Sequence, residues 1–328
     1  MQTFRSTLVR VLGSLLGVAA LSAATALYAD EYPDRPISVV VAYSPGGATD
    51  FQARIVTMMA AKEEYLGQPM VILNKPGAGG KVGWNWFAGK AKKDGYDLAA
   101  YNVPHFIAQS IVFDTQYNIN NLEPIANWGA DPAVFVVGKD SPFNSLDDVV
   151  KYAKQNPEKI TVSGAGLYVG HHIAYLQFEK AAGIKMKYVP HKGGTPALKS
   201  VVGGQVMAGF NNLSDAYRSR DRLKILGVAD LEREKDFLPD VPTFKEQGVD
   251  VDDSSVNFRG IMAPKGAPQP VIDKLAKGVA AMYKDQKVAG KMKAGGSPMR
   301  IIEREDVKKM WQEREQYLKG LLAEIKAQ

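Results

Sequence analysis

Ile37-Ser38-Val39-Val40-Val41-Ala42-Tyr43-Ser44-Pro45-Gly46-Gly47-Ala48-Thr49-Asp50 decides the architecture: a β-branched apolar run, a glycine turn, then residues suited to open a helix. Phe51, Ile55, Met58 and Met59 fall at the spacing of one helix face, Thr49 and Gln52 have the spacing of a capping box, and Asp50 complements the helix dipole. The pattern repeats at once. A strand at Met70 to Leu73 leads into Asn74-Lys75-Pro76-Gly77-Ala78-Gly79-Gly80, a helix from Gly80 to Ala91 and a strand at Leu98 to Tyr101. Such β-α-β-α-β order predicts a parallel sheet with right-handed crossovers, hence an α/β fold. Two helix starts facing one cleft offer unpartnered N–H groups and the positive ends of two dipoles, an arrangement suited to an anion.

A second run of similar units follows Asp131-Pro132. Strands are expected at Ala133 to Val137, Lys159 to Ser163, Met186 to Val189, Gln205 to Phe210 and Leu223 to Val228. Helices are expected after the cap Ser145, from Tyr168 to Ala182 before Gly183, and from Thr195-Pro196. Two more helices, Pro270 to Lys284 and Val307 to Ile325, end the chain, the last with a broken apolar stripe read as packing.

Residues 1–29 read as a secretory signal: Arg5 and Arg10 without an acid, an apolar run at 11–21, and small residues ahead of cleavage after Ala26 or Ala29. Their removal lowers the net charge from +6 to +4, too small an excess for a polyanion binder, and no basic run is interleaved with aromatics. Nucleic acid is therefore not expected as a partner. The chain has no cysteine, which excludes disulfides, thiolate nucleophiles and thiolate metal sites. About 299 residues then remain to fold on apolar cores alone, a length suited to two domains.

The glycine turns admit three explanations. A nucleotide loop fits poorly: the Walker pattern ending at Gly80-Lys81 needs glycine at Lys75 and a hydroxyl at Val82, and the dinucleotide pattern begun by Gly77 and Gly79 again meets Val82. Catalysis fits poorly too. Ser44 lacks a nucleophile elbow, and Ser163 precedes its glycines. His171 and His172 are helix neighbours pointing about 100° apart, while His105 and His191 are read as loop residues, so no metal site is expected. His172 reads as a solvated histidine at a helix start. Binding without chemistry or cofactor remains.

Here the residues become specific. Tyr32-Pro33-Asp34-Arg35-Pro36-Ile37, Pro45 to Asp50, Leu66-Gly67-Gln68-Pro69, Asn74 to Gly80, Asp94-Gly95-Tyr96, Val189 to Leu198, Gly203-Gly204-Gln205-Val206, Leu238 to Thr243 and Ala263 to Gly266 occur in an order that resembles the Bug or TctC family. These are extracytoplasmic solute-binding proteins of tripartite tricarboxylate transporters. The resemblance implies a type II periplasmic-binding-protein fold: two α/β lobes joined by hinge strands, with the ligand in the cleft. It places residues 30–131 and 252–328 in lobe 1 and 132–251 in lobe 2. It further implies a monomeric periplasmic receptor for a small organic carboxylate, served by two membrane subunits, and no enzyme. A sensor for a signalling partner and an exported α/β hydrolase are the competing readings.

On the family pattern the proximal contacts are Tyr43, Ser44, Gly46, Gly47, Ala48, Thr49 and Asp50 with Ala78, Gly79 and Gly80. Asn102 and His105 follow the third strand, where open sheets present ligand contacts. The other lobe should supply Ala165, Gly166, Leu167, His171, His191 and Asn211. At these distal positions the chain departs from its relatives. Leu167 replaces a common hydroxyl and one extra residue precedes His171; His191 stands for a tyrosine, and Asn211 for a frequent aspartate. Leu167 then favours a longer or more apolar ligand. Asp50 reads equally as a ligand contact and as a dipole-complementing carboxylate. Trp84 and Trp86 are read as packing, and Arg259 as solvated.

Overall fold

A computed structural model describes residues 32–326; the signal-peptide expectation for 1–29 lies outside them. Eleven strands among these residues form two sheets. The first holds β1 (Ile37–Val41), β2 (Met70–Asn74), β3 (Asp97–Val103), β4 (Leu122–Asp131), β10 (Asn257–Pro264) and β11 (Met299–Glu303), in the order β11-β4-β10-β3-β1-β2. The second holds β5 (Ala133–Gly138), β6 (Thr161–Gly164), β7 (Lys187–Pro190), β8 (Ala208–Asn212) and β9 (Leu223–Ala229), in the order β7-β6-β8-β5-β9. These are two α/β lobes of the periplasmic-binding-protein type.

The opening stretch folds as its pattern predicts: β1 pairs in parallel with β2 and β3. The whole sheet is nevertheless mixed, because β10 returns from the far end of the chain and pairs antiparallel with both β3 and β4. In the second sheet β6 runs parallel to β7 and β8, while β5 is antiparallel to β8 and β9. Val134 and Val136 pack on one face of β5, and Phe135 and Val137 on the other. That alternation buries both faces of the sheet beneath helices.

The helices are α1 (Ala48–Val56), α2 (Lys81–Lys90), α3 (His105–Val112), α4 (Leu146–Gln155), α5 (Gly170–Ala182), α6 (Gly194–Val202), α7 (Leu213–Tyr217), α8 (Gln269–Tyr283), α9 (Gln286–Ala294) and α10 (Arg304–Lys326). Ser145 caps α4 in a reciprocal box with Asp148, and Gly183 ends α5 in the left-handed conformation. Trp311, Leu318 and Leu322 of α10 are buried in the first lobe's core, which is packing. Trp84 is also core, whereas Trp86 is exposed under the Lys75 amine. No described helix is long and apolar enough to cross a membrane.

Three local expectations change. The buried face of α1 carries Thr49, Gln52, Ala53 and Val56 instead of Phe51 and Ile55. Gly47 is the N-cap and Thr49 makes no capping bond, because its Oγ1 accepts from Asn102 Nδ2 at 2.9 Å. His105 is not in a loop: it opens α3.

Candidate functional site

The cleft between the lobes encloses about 730 Å³ and is lined by Ser44, Pro45, Ala78, Gly79, Lys81, Phe113, Gly166, Leu167, Pro190, His191, Lys192, Thr195, Pro196 and Lys199. It brings the two glycine turns of the first lobe against the loops that follow β6 and β7. Backbones meet directly there. A Cβ on Gly166, where φ is +140°, would lie 2.6 Å from Gly79 Cα. Gly79 itself has φ +66° and no room for a Cβ beside Gln109. Only residues without a side chain allow such an approach.

The first turn is held from behind. Asp50 accepts from Gly46 N–H (2.9 Å), Asn74 Nδ2 (2.8 Å) and Arg54 Nε (3.0 Å). Burial pushes its carboxyl up, yet these bonds outweigh burial and hold it below the usual range. Its oxygens therefore brace the turn and do not line the cleft. Tyr43 donates to Gly79 O at 2.8 Å, tying the first turn to the second. The second turn runs through Gly77, Ala78, Gly79 and Gly80, all at positive φ, and opens α2 at Lys81.

Asn102, His105 and His171 lie behind this surface, each at most 2 % exposed. Asn102 Oδ1 and His105 Nδ1 are buried there with no hydrogen-bond partner among the described residues, and the Asn212 side chain lies beside the buried His171 ring. His171 Nδ1 accepts from Ala165 N–H at 3.2 Å, and His172 Nδ1 accepts from Tyr168 N–H at 3.1 Å. Two neutral imidazoles thus hold the two ends of the Leu167 loop. Burial lowers both to about 4. The expected solvated His172 is instead 8 % exposed, with Tyr175 stacked at 5.9 Å between ring centroids and Tyr188 at 4.5 Å.

Ser44, Ala78, Gly79, Gly166, Leu167 and His191 of the predicted set reach the cleft wall. Tyr43, Gly46, Gly47, Ala48, Thr49, Asp50, Gly80, Asn102, His105, Ala165, His171 and Asn211 stand outside that wall. Gly47 stands beside the wall, since a Cβ there would lie 3.3 Å from Thr195 Oγ1. Asn211 sits on β8 with both amide atoms buried and no hydrogen-bond partner among the described residues. Leu167 is 42 % exposed, so the cleft offers it to a ligand.

The structure adds residues that sequence reasoning missed. Gln109 of α3 donates through Nε2 to Gly79 O and Leu167 O, both at 3.0 Å, and so spans the cleft. Tyr117 orients it by donating to Oε1. Where the chain crosses between sheets, Arg259 is fully buried, contrary to expectation. It pairs with Asp131 at 2.6 Å and donates to Asn212 Oδ1 at 2.7 Å and to Gln52 Oε1 at 3.2 Å. Asp131 also accepts from Ser214 N–H and Oγ and from Gln52 Nε2. One polar network therefore joins α1 and β10 of the first lobe to β8 and α7 of the second. The buried polar positions of α1 carried a faint signal of it.

Three cations, Lys81, Lys192 and Lys199, belong to the cleft wall, and no carboxylate does. Lys81 holds its amine 3.6 Å from the Phe113 ring centroid, and neither Lys192 nor Lys199 has an acidic partner among the described residues. Leu167, Phe113 and three prolines supply the apolar remainder. Backbone amides, ammonium groups and apolar walls together suit an organic anion.

Comparison with known proteins agrees. The profile of the tripartite tricarboxylate transporter family receptor, TctC, matches residues 53–326. A UPF0065 protein of Cupriavidus necator, encoded in the gbd 5' region, is 33 % identical over 264 residues, covering 79 % of this chain and 77 % of its own. The periplasmic binding protein BugD superposes with a TM-score of 0.82 at 28 % identity, over 90 % of this chain and 98 % of its own. MatC of Rhodopseudomonas palustris, solved with bound malate, gives 0.80 at 26 % identity over 88 % and 99 %. The chain belongs to the TctC family of solute-binding receptors.

Proposed function

We propose that this protein captures a small organic carboxylate between its lobes in the periplasm and delivers it to the two membrane subunits of a tripartite tricarboxylate-type transporter. The carrying observation is the cleft wall, where Lys81, Lys192 and Lys199 face two glycine turns and no acid is present. Malate bound in MatC supports the same ligand class. In this reading residues 1–29 direct export, 30–131 with 252–328 move as one lobe, and 132–251 as the other. The ligand's acid seats against Ala78 and Gly79, its body packs on Leu167, and closure brings Gly166 and His191 over it. The protein acts as a monomer without cofactor or chemistry of its own.

Thermal denaturation against mono-, di- and tricarboxylates tests the reading. At least one acid raises Tm in a concentration-dependent way, and Lys81→Gln with Lys192→Gln weakens it. A flat response across the set, from folded protein, overturns the reading.

A further inference from the structure

We infer that the ligand of this receptor is a carboxylate with a bulky apolar body, and that Phe113 of the first lobe and Leu167 of the second select it by packing on that body. The inference rests on the receptor reading above and names the class of acid.

The space left in the cleft is too large for a small acid. The lobes already touch around the turns: Gln109 Nε2 donates across to Leu167 O at 3.0 Å, the Phe113 and Tyr168 rings meet edge-on with centroids 5.3 Å apart, and a Cβ on Gly193 would lie 3.4 Å from Ser44 Oγ. About 730 Å³ remains beside these contacts. Pockets of about 300–1,000 Å³ enclose drug-sized molecules. A four-carbon acid would leave most of this space to water, and the lobes have no room to close further where the backbones of Gly79 and Gly166 meet.

Phe113 is held in the wall from two sides. It caps the end of α3, where its N–H donates to Gln109 O at 2.9 Å and its extended backbone leaves the helix. The Lys81 amine lies 3.6 Å from its ring centroid, and Tyr168, whose own N–H donates to His172 Nδ1, meets it edge-on. Lys81 is also the first residue of α2, directly after the second turn. Lys81 thus joins the seat of the carboxylate to the ring on which the body packs. The second lobe contributes Leu167, which is 42 % exposed, with Pro190 and Pro196. Proline has no N–H to offer, and the side chains of Phe113 and Leu167 neither donate nor accept. A polar body would give up its water there without replacement, whereas an apolar one gains by leaving water. With the carboxylate at the glycine turns, the body runs outward against Phe113 and Leu167.

Matched acids of equal charge test this by calorimetric titration: butanoate against 4-phenylbutanoate and decanoate, and succinate against phenylsuccinate. Removing about 55 Å² of apolar ligand surface from water is enough for a tenfold gain, and a phenyl ring with half its surface covered exceeds that. In wild type at least one apolar-bodied acid binds tenfold or more tightly than its short partner, and the arm with the larger gain, ring or chain, identifies the body. Phe113→Ala and Leu167→Ser each cut that gain by about threefold or more, with circular dichroism as the check on folding. Intermolecular NOEs from the ligand body to the Leu167 methyl groups in the wild-type complex give a readout that needs no variant. Equal affinities within every pair, a gain that survives both substitutions, or a body without NOEs to Leu167 overturns the inference alone. Failure of every acid in the thermal screen overturns the receptor reading, and the inference with it.

Discussion

Arg259→Met tests the polar network where the chain passes between sheets. Arg259 and Asp131 are both fully buried, and the guanidinium also serves Gln52 and Asn212. Methionine replaces the length of the side chain but leaves a buried carboxylate without its counter-charge. Breaking one partner of such a pair costs about 3–5 kcal/mol. Asp131 keeps bonds from Gln52 Nε2, Ser214 N–H and Ser214 Oγ, which places the loss at the lower end, about 3 kcal/mol. At the slope of a large domain this lowers Tm by roughly 6–12 °C. Asp131→Asn alone should also destabilise, and Arg259→Met with Asp131→Asn should be less harmful than the sum of the two, because the residues are in direct contact. Calorimetric Tm values for the four proteins check the cycle. Additive losses, or a single-mutant loss below about 1 kcal/mol, would refute the coupled network, since one contributing so little would resemble a surface pair.

Three further perturbations follow from the same geometry. Gly166→Ala places a Cβ 2.6 Å from the Gly79 backbone, so solution scattering should show a wider cleft and ligand affinity should fall at least tenfold, with circular dichroism unchanged; retained affinity would remove Gly166 from the closing surface. His171 and His172, lowered from 6.5 to about 4, stay neutral in the folded chain while the unfolded chain takes up protons. Their stabilisation is full above pH 6.5 and is lost as pH falls towards 4, by up to about 3 kcal/mol each. His172→Asn keeps an acceptor for Tyr168 N–H and, because burial lowers His105 as well, should flatten about a third of the histidine slope in denaturation measured from pH 7.5 to 4.5; an unchanged slope would exclude His172 as a source. Finally, Leu167→Ser should shift preference towards shorter, more polar acids, and an unchanged acid ranking would show that Leu167 does not touch the ligand.

The parallel part of the fold was legible because each β-α unit is local: β1, its glycine turn and α1 occupy consecutive residues. The antiparallel additions were not. β4 contains Pro124 and Gly129 and lacks a period of two, and β10 is buried along its whole length, so neither alternation nor turn signals mark them. α1 was misread for a related reason. Its hydrophobic pattern favours Phe51 and Ile55, but Thr49 and Gln52 are drawn inward by Asn102, Asp131 and Trp128. Periodicity assumes that the buried face is apolar, and a junction between lobes breaks that assumption. The proximal turns were recognisable through glycine and proline, whose backbone demands are local. Arg259 and Asp131, 128 positions apart, have no local signature of their pairing.

In the proposed reading, the partition of charge explains how an anion is held with no arginine among the residues of the cleft wall. Arg259 is committed to Asp131 and Arg218 to Asp215, so these two guanidinium groups are already neutralised by internal acids. On the proposed function, what remains for a ligand is the backbone of the second turn, whose glycines admit an oxygen closely, and the ammonium groups of the cleft wall. Lys192 and Lys199 are exposed, so water and salt screen them. They add attraction and steering but cannot fix an orientation as a paired guanidinium would. In the proposed reading, orientation then comes from the fixed parts of the wall: amides at Ala78 and Gly79 and the apolar face of Leu167.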